Sequence, residues 1–188
     1  MMLTASEINV QIGLGEIAWP GELRGDALLL RLGSPLQPLA APGQVIDLAS
    51  QDSIDTLYAA PRHDWDEFEL APGRMVLCAA GRPLRLGATF AAAIASLSHL
   101  ARVGLATHVT SPWVMPGWDG YLAFELLNAG PATVRLHRGM PVARAVIWRM
   151  DGAAREPVPH ACYGRPENLG SRYAAEFGSG LTTADTKA

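Results

Sequence analysis

The chain has 188 residues, of which 49% are apolar and 18% are charged, and its net charge is −3. This composition is typical of a folded globular protein and excludes an intrinsically disordered chain, and no apolar run is long enough to span a bilayer. The small negative charge also excludes the broad basic surface with which proteins bind DNA or RNA.

The organisation expected from these properties is a single domain over residues 1–177 with a flexible polar tail over residues 178–188. The N-terminus lacks a basic cluster followed by an apolar stretch, so we expect no secretory signal and a cytoplasmic location. Cys78 and Cys162 lack CxxC spacing. In a reducing compartment such cysteines are more often buried thiols than a bridge.

The first predicted element is a helix over about Ala5 to Ile12. Thr4 and Glu7 have the spacing of a capping box, in which each residue bonds the backbone of the other. Gly13 and Gly15 follow the apolar residues and are expected to end the helix.

Short strands are predicted next, because apolar runs alternate with Pro and Gly from Glu16 to Leu86. These runs are Ala27 to Leu32, Val45 to Leu48, Phe68 to Leu70 and Met75 to Ala79.

A second helix is predicted over Thr89 to Arg102, a stretch that is rich in Ala and Leu and free of Gly and Pro. Strands resume after Gly104, separated by the turn sequences PGWDG, NAGP and HRGMP. The predicted strands are Thr107 to Ser111, Tyr121 to Asn128, Ala132 to Leu136 and Val142 to Trp148. Two short helices among many short strands predict a mainly β fold, a compact sandwich or a jelly-roll-like barrel.

Four motifs in order resemble the core of the dCTP deaminase family. They are Ser98 to Leu105 (SHLARVGL), His108 to Thr110 (HVT), Pro116 to Gly120 (PGWDG) and Phe124 to Asn128 (FELLN). Further similarity lies in Arg31 to Gly33, Arg138 to Met140, Tyr163-Gly164 and Gly170 to Tyr173, so the resemblance spans almost the whole chain.

This resemblance implies a distorted jelly-roll or β-barrel of the dUTPase-like type, assembled as a homotrimer. Each active site would lie at a subunit interface and be completed by residues of a neighbouring chain. The implied reaction is hydrolytic deamination of dCTP to dUTP with release of ammonia.

The catalytic residues implied by the resemblance are Glu125, Arg102 and Ser98. Glu125 would act as general base and acid, and its apolar neighbours are expected to desolvate its carboxyl in part. Arg102 would orient Glu125 and stabilise developing charge, and Ser98 would help to hold the attacking water.

The nucleotide-binding residues implied by the resemblance are Thr110, Ser111, Trp118, Tyr163, Arg172 and Tyr173. The chemistry would need no metal, and any Mg²⁺ would accompany the bound triphosphate. The H-x-E and P-C-x-x-C motifs of zinc deaminases are absent from the sequence, and the histidines do not cluster as metal ligands. Of these histidines, His108 and His137 are expected to be strand residues.

Several positions depart from the family pattern. Leu97 and His99 stand where an arginine and a serine are usual, and Trp113 and Met115 replace the arginine and aspartate of an R-x-D-P-G-W pattern. Leu29 replaces another aspartate, and Glu176 replaces a glutamine near the C-terminal tyrosine. Contacts with the phosphates are expected to be fewer than in the family.

These departures leave two alternatives to dCTP deamination. The chain could deaminate a different or less phosphorylated cytosine nucleotide, or it could be a noncatalytic trimer that binds a nucleotide or a protein. A dUTPase is disfavoured because Met115 lies where that reaction needs an aspartate, and the nearby acid Asp119 is displaced from that position.

Overall fold

A computed structural model describes residues 1–39, 43–154, 163–167 and 169–178 of the chain. Within these ranges there are four short helices: α1 (Ala5–Gly13), α2 (Gln51–Asp55), α3 (Ser98–Ala101) and α4 (Tyr173–Phe177). The first six strands are β1 (Ile17–Ala18), β2 (Leu28–Pro38), β3 (Glu67–Leu70), β4 (Met75–Ala80), β5 (Leu84–Leu86) and β6 (Phe90–Ser96). The remaining six are β7 (Leu105–Ala106), β8 (Trp113–Val114), β9 (Asp119–Gly120), β10 (Ala123–Asn128), β11 (Val134–His137) and β12 (Pro141–Arg149).

A seven-stranded antiparallel sheet forms the body of the protein, with the strand order β7-β10-β4-β2-β12-β6-β8. Two smaller sheets flank it, with the orders β1-β5-β9 and β11-β3. The predicted mainly β class is therefore confirmed. The core is formed by alternate side chains of the long strands, among them Leu28, Leu30, Leu32, Val76, Cys78, Phe124, Leu126, Val142 and Ile147.

The predicted N-terminal helix is confirmed as α1. The Thr4 hydroxyl accepts a hydrogen bond from the backbone N–H of Glu7 at 3.3 Å, and the backbone N–H of Thr4 donates to Oε2 of Glu7 at 2.8 Å. This reciprocal pair satisfies two donors at the start of the helix. Ile8 points inward and is fully buried.

The predicted helix over Thr89 to Arg102 is wrong for most of its length. Residues Phe90–Ser96 form strand β6, and a helix, α3, covers Ser98–Ala101 alone. β6 lies between β12 and β8, and its small residues Ala91 and Ala92 are fully buried there. Seven backbone pairings with β12 outweigh the high helix propensity of alanine, since intrinsic propensity is a weak preference that tertiary contacts override.

Two predicted strands are also wrong. Val45 to Leu48 is not a strand, and Val45 is 94% exposed, so its apolar run buries little surface. Residues 107–111 form an irregular loop between β7 and β8. The other predicted strands overlap observed ones, whereas α2 and α4 were not predicted.

Cys78 is a buried free thiol on β4, as expected, and burial raises its pKa to about 12. Cys162 and residues 179–188 of the expected tail lie outside the described residues. No helix within the described ranges combines the length and the apolar character needed to cross a membrane.

Candidate active site

Glu125 lies on β10, on the face of the strand opposite to the core. Phe124 and Leu126, its neighbours in sequence, are 2% and 0% exposed, so the alternation of a strand directs Glu125 to the other face. There it is paired across the sheet with Leu77 of β4. The side chain is half-buried.

The loop between β7 and β8 holds the carboxyl group of Glu125. The backbone N–H of Val109 donates to Oε2 of Glu125 at 2.9 Å. The loop is itself tied to the end of β6, since the fully buried hydroxyl of Thr107 lies 2.6 Å from the hydroxyl of Ser96. Within the described part of the chain, Oε1 of Glu125 makes no hydrogen bond and is available to a bound molecule.

A cleft of about 570 Å³ opens over this carboxyl group. Among the described residues that line it, Glu125 is the one acid and Arg165 the one arginine. Most of the other lining residues are aromatic or apolar, and they include Tyr58, Leu77, Ile94, Trp113, Val114, Met115, Trp118, Tyr121 and Tyr163. A charged group in an apolar cleft of this size is the usual setting of a small-molecule site.

His108 also lines the cleft, and it lies in the loop rather than in a strand, which corrects the expectation for this residue. Its Nδ1 atom is buried and has no partner among the described residues. A buried polar atom without a partner is costly, so Nδ1 is available to form a hydrogen bond with a molecule in the cleft. His137 lies on β11, as expected.

The residues predicted from the sequence fall into two groups. Glu125, Ser111, Trp118 and Tyr163 line the cleft, and Thr110 is exposed beside it in the same loop. The other predicted residues, which do not line the cleft, are Ser98, Arg102, Arg172 and Tyr173.

The second group occupies two places on the surface. Ser98 begins α3 and Arg102 caps its C-terminus, and both are exposed, with no ion pair to the Arg102 guanidinium in the described part of the chain. Arg172 lines an adjoining cavity of about 200 Å³ together with Asp55 and Glu167. The ring of Tyr173 packs against that of Phe177 in a tilted arrangement, with ring centroids 5.3 Å apart.

The cleft residues that were not predicted from the sequence include His108, Tyr58, Tyr121 and Arg165. Tyr121 directly follows the PGWDG motif, and Arg165 follows Tyr163-Gly164. Their position next to recognised motifs could therefore have identified both as candidates for the site. Tyr58 had no such signal, because it reaches the cleft from a segment without a recognisable motif. Within the described ranges, no three His, Cys, Asp or Glu side chains gather as metal ligands.

Known proteins are similar to this chain in sequence and in fold. A family model described as dCTP deaminase-like matches residues 3–150. A protein of Nocardioides sp. named "dCTP deaminase, dUMP-forming" is 30% identical over 183 residues, which are 95% of this chain and 92% of that protein. A protein of the same name from Methanoculleus marisnigri is 31% identical over 161 residues, covering 82% of this chain and 84% of that protein.

Among solved structures, the 2'-deoxycytidine 5'-triphosphate deaminase of Agrobacterium tumefaciens has a similar fold. The TM-score is 0.60 at 18% identity, and the match covers 78% of this chain and 47% of that chain. This similarity confirms the type of fold expected from the sequence.

Proposed function

The chain belongs to the dCTP deaminase-like family, and from this premise we propose that it hydrolyses the C4 amino group of dCTP at the Glu125 cleft. The reaction consumes one water and yields dUTP and ammonia. The observation that carries the proposal is the carboxyl of Glu125, held at one oxygen by the Val109 N–H and open at the other, at the base of an apolar cleft.

One carboxyl group can perform each proton transfer of this reaction. Glu125 takes a proton from water as that water attacks C4 and passes a proton to N3 of the ring. It then takes the second proton from the C4 hydroxyl of the tetrahedral intermediate and gives it to the amino group, so that ammonia leaves and C4 becomes a carbonyl. The Val109 N–H keeps the carboxyl in one orientation throughout, so that the same oxygen meets water, N3 and the leaving group in turn.

Ser98 and Arg102 act, in this proposal, on the cleft of a neighbouring subunit in a homotrimer. Both are exposed and lie outside the cleft of their own chain, and Arg102 has no acidic partner within the described residues. An arginine without an ion pair on the surface is available to a second copy. There Arg102 would stabilise charge on the pyrimidine, and Ser98 would hold the water.

The remaining predicted residues contact the nucleotide. The backbone at Thr110 and Ser111 lies next to the Val109 N–H, and Trp118 and Tyr163 offer flat apolar surface for the base and sugar. Arg172, and Tyr173 beside it, would serve the triphosphate from the adjoining cavity. Mg²⁺ would enter with the triphosphate and take no part in the deamination.

A second candidate function is formation of dUMP, because the two relatives named above are called dUMP-forming. That product requires hydrolysis of a phosphate linkage in addition to deamination. A second water would need a second group to orient it. Glu125 is the one acid that the described residues of a single chain bring to the cleft, so in this proposal such a group would have to come from the neighbouring subunit. Position 115 is methionine, and Asp119 is exposed on β9 outside the cleft, so dUTP remains the proposed product.

The test is incubation of the purified chain with dCTP and Mg²⁺, with ammonia, dUTP, dUMP and pyrophosphate measured together. Equal amounts of ammonia and dUTP, both lost in Glu125→Gln, support the proposal. Ammonia with dUMP and pyrophosphate supports the second candidate. Absence of ammonia from dCTP, dCDP, dCMP and deoxycytidine would contradict both and favour a noncatalytic trimer.

A further inference from the structure

One wall of the cleft is formed by a segment that returns to the domain from the C-terminal side. This segment, which we call the strap, comprises residues 163–167 and 169–178. Tyr163, Arg165 and Leu169 of the strap line the cleft, and Arg172 lines the adjoining cavity. The position of the strap therefore determines the shape of both.

The strap is attached at its first end through the backbone. The N–H of Tyr121 donates to the carbonyl oxygen of Gly164 at 2.7 Å. Gly120 and Gly164 lie so close together that a Cβ atom on Gly120 would collide with the backbone of Gly164. This attachment does not depend on any side chain of the strap.

The second attachment is made by two side chains of the segment around α2. The backbone N–H of Ser171 donates to the Tyr58 hydroxyl at 2.9 Å, and the ring of Tyr58 lies directly against Gly170. The Gln51 side chain donates to the carbonyl oxygen of Ser171 at 2.9 Å and accepts from the N–H of Ala175 at 3.3 Å. Gln51 thus satisfies a backbone acceptor and a backbone donor at once.

Tyr58 has a second role, since it and Gly170 line both cavities. The contact between them is where the apolar cleft over Glu125 meets the polar cavity of Arg172. Whatever holds Gly170 against Tyr58 also sets the distance between the deamination site and this arginine.

We propose that Tyr58 and Gln51 are positioning residues that latch the strap against the domain and so set the strength of nucleotide binding. Neither residue touches the reacting atoms. If the strap is released in a fraction of the molecules, the apparent dissociation constant becomes the intrinsic constant divided by the fraction that stays closed. The chemical step, which takes place in the closed form, is unchanged.

The test compares Tyr58→Phe and Gln51→Ala with the control Gln44→Ala. Tyr58→Phe keeps the ring that lines both cavities and removes the hydroxyl that accepts from Ser171. Gln44 bonds Thr56, near the same helix, but makes no contact with the strap in the described structure. The first measurement is hydrogen exchange of strap peptides in the free protein, and the second is the KM and kcat for dCTP.

A hydrogen bond of ordinary net strength corresponds to about a two- to tenfold change in an equilibrium. We expect both latch variants to exchange strap amides faster by about that factor. Their KM for dCTP is expected to rise by up to that factor, and by less the more completely the strap stays closed, with kcat within about twofold of the wild type. Gln44→Ala should match the wild type in both measurements.

Strap exchange that is unchanged in both latch variants would overturn the proposal, as would a fall in kcat at constant KM. The measurement of KM and kcat rests on the proposed function, whereas the measurement of hydrogen exchange does not. If the wild type releases no ammonia, the proposed function is contradicted. If strap amides nevertheless exchange faster in Tyr58→Phe and Gln51→Ala, the role of these two residues in holding the strap is still supported.

Discussion

The backbone N–H of Val109 donates to Oε2 of Glu125 at 2.9 Å, and this bond joins two motifs that are separate in the sequence. A hydrogen bond to an ionised carboxylate is stronger than one between neutral groups. It fixes one oxygen of Glu125 and leaves the other facing the cleft. The first prediction follows from this arrangement.

Glu125→Gln is expected to reduce ammonia release by at least about 100-fold, because an amide cannot accept and return protons. The fold should persist, since the amide oxygen can still accept from Val109. Ammonia release and the melting temperature are the measurements. Glu69→Gln is the matched control, because Glu69 is exposed and pairs with Arg135 at 2.8 Å, away from the cleft. Full activity in Glu125→Gln would rule out this residue as the general base.

Mixing two inactive variants tests whether the site is shared between subunits. Arg102→Ala and Glu125→Gln should each lack activity, whereas an equimolar mixture that is unfolded and refolded should recover about a quarter of the wild-type rate. That fraction follows from random assembly into trimers in which each site takes Glu125 from one chain and Arg102 from the next. Arg82→Ala, at an exposed turn, is the control and should be active alone. A mixture that stays inactive would show that the two residues do not combine across an interface.

Gly104→Ala is expected to lower the free energy of unfolding by about 1–3 kcal/mol. Gly104 has a φ of +84°, and an added Cβ would collide with the backbone of Gly130. Urea denaturation measures the change. Gly13→Ala is the control, because a Cβ there meets nothing within 4 Å. Equal stability of the two variants would contradict the close approach of the Gly104 and Gly130 backbones.

Thr4→Ala is expected to lower the free energy of unfolding by about 1 kcal/mol, the usual cost of losing an N-cap side chain. Ser6→Ala, which removes an exposed hydroxyl of the same helix, is the control and should have a much smaller effect. Thermal or urea unfolding distinguishes them.

The pH dependence of α1 follows from the same capping box. Hydrogen bonds from the backbone and then the hydroxyl of Thr4 hold the pKa of Glu7 below its usual 4.5. A lowered pKa means that the stabilisation is present above the unfolded value and is lost as pH falls through the folded one. The stability difference between wild type and Glu7→Gln should therefore shrink in acid below pH 4.5. A difference that grows in acid would contradict this assignment.

Cys78 is expected to resist thiol reagents in the native protein. Its pKa is raised to about 12 by burial, so almost no thiolate, the reactive form, exists at pH 8. The measurement is labelling of a Cys162→Ser variant, which leaves Cys78 as the one thiol. Rapid labelling of the folded variant would contradict the burial of the Cys78 side chain. As a control, the same variant unfolded in urea should be labelled completely.

The stretch from Thr89 to Ser96 shows where prediction from the sequence fails. Its alanines have high helix propensity, yet they form β6 because its backbone pairs with β12 on one side and with β8 on the other. The strands on either side are distant in the sequence, so no local pattern carries that information. By contrast, α1 and β10 were predicted because a capping box and an apolar run between two turn sequences are local.

The candidate site divides in the same way. The sequence by itself determined the family resemblance, the mainly β class and the choice of Glu125, since each depends on residue types at short, fixed spacings. Only the tertiary structure decided that Tyr58 and Arg165 line the cleft and that Ser98 and Arg102 lie outside it. The physical reason is that strand pairing and the docking of the strap join segments far apart in the chain, and the free energy of those contacts depends on the whole fold.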